Sequence, residues 1–114
     1  MKPVEKGAYP DRELLNDILR RVMSVVQPRR VVLFGSAVRG KMTADSDLDL
    51  LVIVPGPAQR RLLAQEIYRK LHGILTPVDI LVVTEQDVQL HGDAIGSVLR
   101  PALREGEVIY DSSQ

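Results

Sequence analysis

The chain has 114 residues, which is enough for one hydrophobic core and points to a single domain spanning 1–114, with its core over about 11–110. Its 15 basic and 15 acidic side chains cancel, and only 4% of residues are aromatic, so neither a global positive field nor a base-stacking platform draws it to nucleic acid. It has no cysteine, which excludes disulfides and thiolate zinc sites. The sequence shows no apolar run of the roughly 20 residues that cross a bilayer and no apolar signal-peptide centre in Met1 to Asp11, so the expected location is the cytoplasm, without membrane contact.

Residues 1–9 read as a loose lead-in. From Asp11 to Gln27, Leu14, Leu15, Ile18, Leu19, Val22, Met23, Val25 and Val26 fall mostly on one face at helical spacing; Pro10 suits the start and Pro28 the stop. Val31-Val32-Leu33-Phe34 is a short apolar run ended by Gly35, the pattern of a buried strand. Gly35 to Ser46 is small and polar, a loop with a short helical turn. Leu48 to Val54 is a second buried strand, closed by Pro55-Gly56-Pro57.

Ala58 to Gly73 predicts a helix, with Leu63, Ile67 and Leu71 four apart and Arg60, Arg61, Arg69 and Lys70 at solvated positions. Val78 to Val83 predicts a third strand. Thr84 and Asp87 have the spacing of a capping box that starts a short helix. His91 to Ser97 has no clear period. A last helix over Ala102 to Glu105, with Pro101 in its first turn and Gly106 as its cap, leads to a short strand at Val108-Ile109-Tyr110. The fold class that follows is α/β (α+β): a small mixed β-sheet flanked by helices.

One constellation carries chemistry. Gly35-Ser36 is followed after ten residues by Asp47-Leu48-Asp49, and a third acid, Asp79, sits inside the apolar run Val78-Asp79-Ile80-Leu81. On a strand, Asp47 and Asp49 share a face, while Leu48 and Leu50 turn to the other. Adjacent carboxylates repel, and a bound divalent cation removes that cost; all-oxygen donors suit Mg2+ or Mn2+. An acid in an apolar strand is expensive unless it is paired, and placing Asp79 beside the other two and a metal resolves the expense. Three carboxylates can then hold two ions about 4 Å apart, which clamp the attacking and leaving oxygens of an in-line phosphoryl displacement. Gly35 lets a phosphate approach the backbone, the Ser36 hydroxyl can donate to it, and Arg39, with Lys41, can neutralise its charge. Taken singly, each piece has a commoner structural explanation as a turn, a cap or an edge charge. Together, the four fixed positions coincide by chance in roughly one chain in a thousand of this length.

These residues resemble the nucleotidyltransferase superfamily named for DNA polymerase beta, whose signature is Gly-Ser, a spacer, Asp-x-Asp and a later strand carboxylate. The stretches Leu33-Phe34-Gly35-Ser36-Ala37-Val38-Arg39-Gly40 and Ser46-Asp47-Leu48-Asp49-Leu50 are similar to its minimal bacterial and archaeal members. The resemblance runs from about Asp11 to Tyr110 and is most specific between Val32 and Val54. It implies two Mg2+ or Mn2+ ions on Asp47 and Asp49, with Asp79 as a further ligand or as the group that helps deprotonate the nucleophile. It implies triphosphate contacts from Gly35 and Ser36, ATP as substrate, and transfer of a nucleoside monophosphate to a hydroxyl with release of pyrophosphate. It also implies an all-helical partner of the HEPN type, to which some minimal members act as antitoxins by transferring AMP to a tyrosine.

Two other readings stand beside this one: an antitoxin or scaffold that neutralises a helical partner by contact alone, and an enzyme that adds nucleotides to RNA. Charge balance disfavours the second, and a homo-oligomer is compatible with all three. His72 near a helix end and His91 in a polar segment read as solvated, Arg29-Arg30 as a helix-to-strand link, and Tyr9, Tyr68 and Tyr110 as packing residues with a polar tip.

Overall fold

The computed structural model describes residues 10–38, 47–91 and 104–113. The expected lead-in 1–9, residues 39–46 of the expected Gly35-to-Ser46 loop, and residues 92–103 lie outside the described residues, and with them Arg39 and Lys41.

The first helix, α1, spans Arg12–Met23, with Asp11 as its N-cap. It ends four residues before Gln27, the end that its apolar pattern predicts. Beyond Met23 come the β-branched pair Val25-Val26 and then Pro28, which resist further helix. The Ser24 hydroxyl donates to the Arg21 carbonyl at 2.6 Å, and the Val25 and Val26 N–H groups both bond the Val22 carbonyl, tightening the last turn. Val25 and Val26 still pack on the core from this turn, so their apolar signal reported burial rather than helix.

Strand β1, Arg30–Phe34, runs into a 3-10 turn over Gly35–Ala37. Strand β2 spans Leu48–Val54, as expected. Helix α2 covers Arg60–Lys70 and ends ahead of Gly73, whose φ of 96° only glycine adopts readily. Strand β3 is Val78–Thr84, helix α3 is Glu85–His91, and strand β4 is Glu107–Asp111. Of the helix expected at 102–105, Arg104 and Glu105 are described and helical. The Thr84–Asp87 capping box is formed. The Asp87 N–H donates to the Thr84 hydroxyl and the Thr84 N–H to the Asp87 carboxylate, each at 3.0 Å. Asp87 also accepts from Arg60 at 3.1 Å, fastening the start of α3 to that of α2.

The strands form one mixed sheet in the order β3-β2-β1-β4. β1 is antiparallel to both its neighbours, and β2 and β3 are parallel, which requires the crossover that α2 provides. The faces divide by residue parity. Leu48, Leu50, Val52 and Val54 of β2 join Val31, Leu33, Ile80 and Val82 against Leu15, Ile18 and Val22 of α1 and Ile67 of α2. The opposite face carries a smaller cluster of Val32, Leu51, Ile53 and Val83, with Phe34 and Val88 of α3 packed on it. Arg21 ties the two large helices together, donating to the Lys70 and His72 carbonyls at 2.8 and 2.9 Å, so the end of α2 is capped from α1. Among the described residues, no helix is long and apolar enough to cross a membrane.

Candidate active site

Register brings the acids together. Phe34 of β1 pairs with Asp49 of β2, and Asp49 pairs with Asp79 of β3, so a row crosses three strands at one end of the sheet. Paired residues on neighbouring strands share a face, so the carboxylates of Asp49 and Asp79 stand side by side across a strand spacing of about 4.8 Å. That face is the one opposite α1 and α2. Leu48 and Leu50 on either side of Asp49 are fully buried among the helices, as the alternation required. Asp47, one residue ahead of β2, is exposed; Asp79 is exposed and Asp49 half-buried.

Gly35 follows Phe34 directly and closes the row. Its φ of 79° lies in the left-handed region that favours glycine. A Cβ at this position would run into the Asp49 carboxylate, with Cγ at 3.2 Å and an oxygen closer still. The Gly35 backbone and the Asp49 side chain are therefore in direct contact. The structure gives Gly35 two reasons that differ from the expected phosphate contact: its backbone conformation and the room it leaves for Asp49. The Ser36 side chain, like Arg39, lies outside what the structure describes.

The donor set on this face is carboxylate oxygen. Among the described residues, which include Asp47, Asp49 and Asp79, no three acidic or imidazole side chains are grouped so that they could hold a metal ion. Two adjacent carboxylates on an open face suit Mg2+, which commonly takes one or two carboxylates and completes its shell with water and substrate phosphate. Asp49 and Asp79, the adjacent pair, therefore fit that cation; Asp47, one residue ahead of β2, is not grouped with them as a third ligand.

Two surface grooves lie elsewhere. One, of about 740 Å³, runs between the start of α2 and the outer edge of β3, lined among others by Arg60, Arg61, Leu62, Ile80 and Leu81. The other, of about 240 Å³, lies between α1 and β4. Neither includes Gly35, Asp49 or Asp79.

The model of the nucleotidyltransferase domain family matches residues 12–105, a span that contains the whole row of site residues. The chain belongs to that family. Solved structures agree on the fold of this nucleotidyltransferase domain. A Sulfolobus solfataricus protein assigned as a nucleotidyltransferase superposes with a TM-score of 0.63 at 21% identity, over 90% of this chain and 81% of that one. A chain of a toxin–antitoxin complex crystallised with AMP-PNP gives 0.58 at 20% identity, over 87% and 74%. The spectinomycin adenyltransferase of Enterococcus faecialis, solved with ATP and spectinomycin, gives 0.67 at 18% identity, over 90% of this chain and 57% of that one. Comparison with curated proteins by sequence gives no significant match.

Tyr68, expected as a packing residue with a polar tip, uses that tip beside the site. Its hydroxyl accepts the backbone N–H of Ile80, the residue after Asp79, at 2.8 Å. No spacing in the sequence announces that bond, because it joins a helix to the free side of a strand.

Proposed function

We propose that this nucleotidyltransferase domain transfers AMP from ATP to a hydroxyl on a helical partner protein of the HEPN type, as the antitoxin of a toxin–antitoxin pair. The observation that carries the reading is the row Gly35–Asp49–Asp79. It sets two carboxylates in register on one face, against the backbone of Gly35. The toxin–antitoxin complex and the adenyltransferase among the structural neighbours, with AMP-PNP and ATP respectively, support adenylyl transfer and a protein partner.

In this reading Asp47, Asp49 and Asp79 hold two Mg2+ or Mn2+ ions. When bound, these supply neutralisation of the triphosphate and of the charge that develops in the transition state. Gly35 and Ser36 present backbone N–H groups, and Ser36 its hydroxyl, to the terminal phosphates, and Arg39 adds positive charge. The acceptor oxygen attacks the α-phosphorus, and the bond from that phosphorus to the bridging oxygen breaks. Pyrophosphate leaves with the bonding pair, and the acceptor's proton passes to Asp79 or to water. The exposure of Asp79 suits this role, since the acceptor arrives from another molecule.

The test is incubation of the purified protein with Mg2+, α-labelled ATP and its helical partner, beside an Asp47→Asn/Asp49→Asn control. Label on the partner that the control lacks is the expected result. No label in either lane, with fold and partner binding intact, would refute transfer to protein and favour neutralisation by contact.

A further inference from the structure

We propose that Tyr68 is a positioning residue that holds Asp79 in register with Asp49. The inference rests on the reading of Asp79 as a site residue. Among the described residues, β3 is an edge strand, paired only with β2, and in parallel geometry. Parallel pairs are slightly weaker per residue than antiparallel ones, and strand ends open most readily. Asp79 is the second residue of this strand, and the connection before it carries Leu75, which is 97% exposed. The third acid thus sits at the start of an edge strand, where it must be held in place.

Two hydrogen bonds straddle Asp79. On the inner side the Leu48 N–H donates to the Pro77 carbonyl at 2.9 Å. On the outer side the Ile80 N–H donates to the Tyr68 hydroxyl at 2.8 Å. The peptide unit joining Asp79 to Ile80 is planar, so fixing the Ile80 N–H fixes the Asp79 carbonyl with it and sets the direction in which the Asp79 side chain leaves the strand. Its neighbour Ile67 is fully buried in the core, so α2 is packed on the sheet independently of the Tyr68 hydroxyl. The same bond fills an outward N–H of β3, so that position is closed to the addition of another strand along the α2–β3 groove.

Tyr68→Phe keeps the ring and removes the bond. Amide exchange by NMR and Mn2+ binding in the presence of ATP read its effects, with Ile67→Val as a control that loosens α2 and leaves the hydroxyl in place. Loss of one hydrogen bond is expected to speed exchange at Ile80 about three- to ten-fold and to weaken Mn2+ binding by a similar factor. Ile67→Val should leave Mn2+ binding unchanged. In an Asp79→Asn background, Tyr68→Phe should cause no further loss of Mn2+ affinity, since it acts through Asp79. Unchanged Ile80 exchange in Tyr68→Phe overturns the proposal, as does faster exchange with unaltered Mn2+ affinity, or an equal loss in the Asp79→Asn background. Mn2+ binding that Asp79→Asn itself leaves unchanged overturns instead the assignment of Asp79 to the metal site.

Discussion

Substitution of Gly35 by alanine separates two physical demands that coincide at one residue. The first is backbone conformation: a φ of 79° costs a residue with a Cβ about 1–2 kcal/mol. The second is space: the new Cβ would lie 3.2 Å from the Asp49 Cγ and closer to a carboxylate oxygen, so Asp49 must turn away. Coupling between contacting residues is typically about 0.5–3 kcal/mol, which brings the total to roughly 1.5–5 kcal/mol and a fall in Tm of about 5 °C or more. The assay is urea and thermal unfolding of four proteins: the wild type, Gly35→Ala, Asp49→Ala and the double variant. In the Asp49→Ala background the collision is gone, and Gly35→Ala should cost only the conformational part. Equal costs in the two backgrounds, within about 0.5 kcal/mol, would refute the contact as the reason for glycine. Nucleotidyl transfer should fall in Gly35→Ala by far more than stability accounts for, because the displaced carboxylate belongs to the proposed site.

Asp79→Asn should leave unfolding free energy within about 0.5 kcal/mol of wild type, since the side chain is exposed, while transfer of label from ATP is lost. Removal of divalent cations with a chelator should likewise stop transfer without altering the circular dichroism spectrum. Thr84→Ala removes one half of the formed capping box and should cost about 1 kcal/mol in urea unfolding. Asp17 accepts hydrogen bonds from Arg21 and Arg20, and the Arg21 bond above all holds its carboxyl below the ordinary value of 3.8. A depressed folded pKa adds stability that is fully present at neutral pH and is lost as pH falls below about 4 through the folded value. The stability gap between wild type and Asp17→Asn should therefore be flat from pH 7 to 5 and close at lower pH.

What was legible in the sequence follows from what repeats. Strand β2 was readable to the residue because every position after Asp49 is buried, and a turn of prolines and glycine ends it. The capping box at Thr84 and Asp87 was readable because its two bonds are local. The end of α1 was not: Val25 and Val26 continue the apolar rhythm and bury themselves, but from a turn. The acids stand out in the sequence as candidates through their spacing. Their register does not, since only sheet pairing places Asp79 beside Asp49. The hydroxyl of Tyr68 and the room that Gly35 leaves for Asp49 depend on tertiary contacts that no pattern along the chain encodes.

The parity of the sheet explains how so short a chain can carry both a core and the proposed site. On β2, Leu48, Leu50, Val52 and Val54 all face α1 and α2, so the main core draws on one parity alone. The other parity changes character along the strand. Leu51 and Ile53 lie in the small cluster capped by Phe34 and Val88, while Asp49, at the strand's start, stands beyond that cover beside Asp79. The row of acids therefore occupies positions that the main core does not use. It sits at the end of the sheet where β1 turns at Gly35 and β2 and β3 begin. Substitutions on the helix-facing parity, such as Leu50→Ala, remove buried volume and should cost roughly 2–5 kcal/mol of stability. A change at Asp79 should instead act on chemistry and leave the core intact. Among the described residues Asp79 is exposed on this face, which suits the proposed acceptor supplied by another molecule.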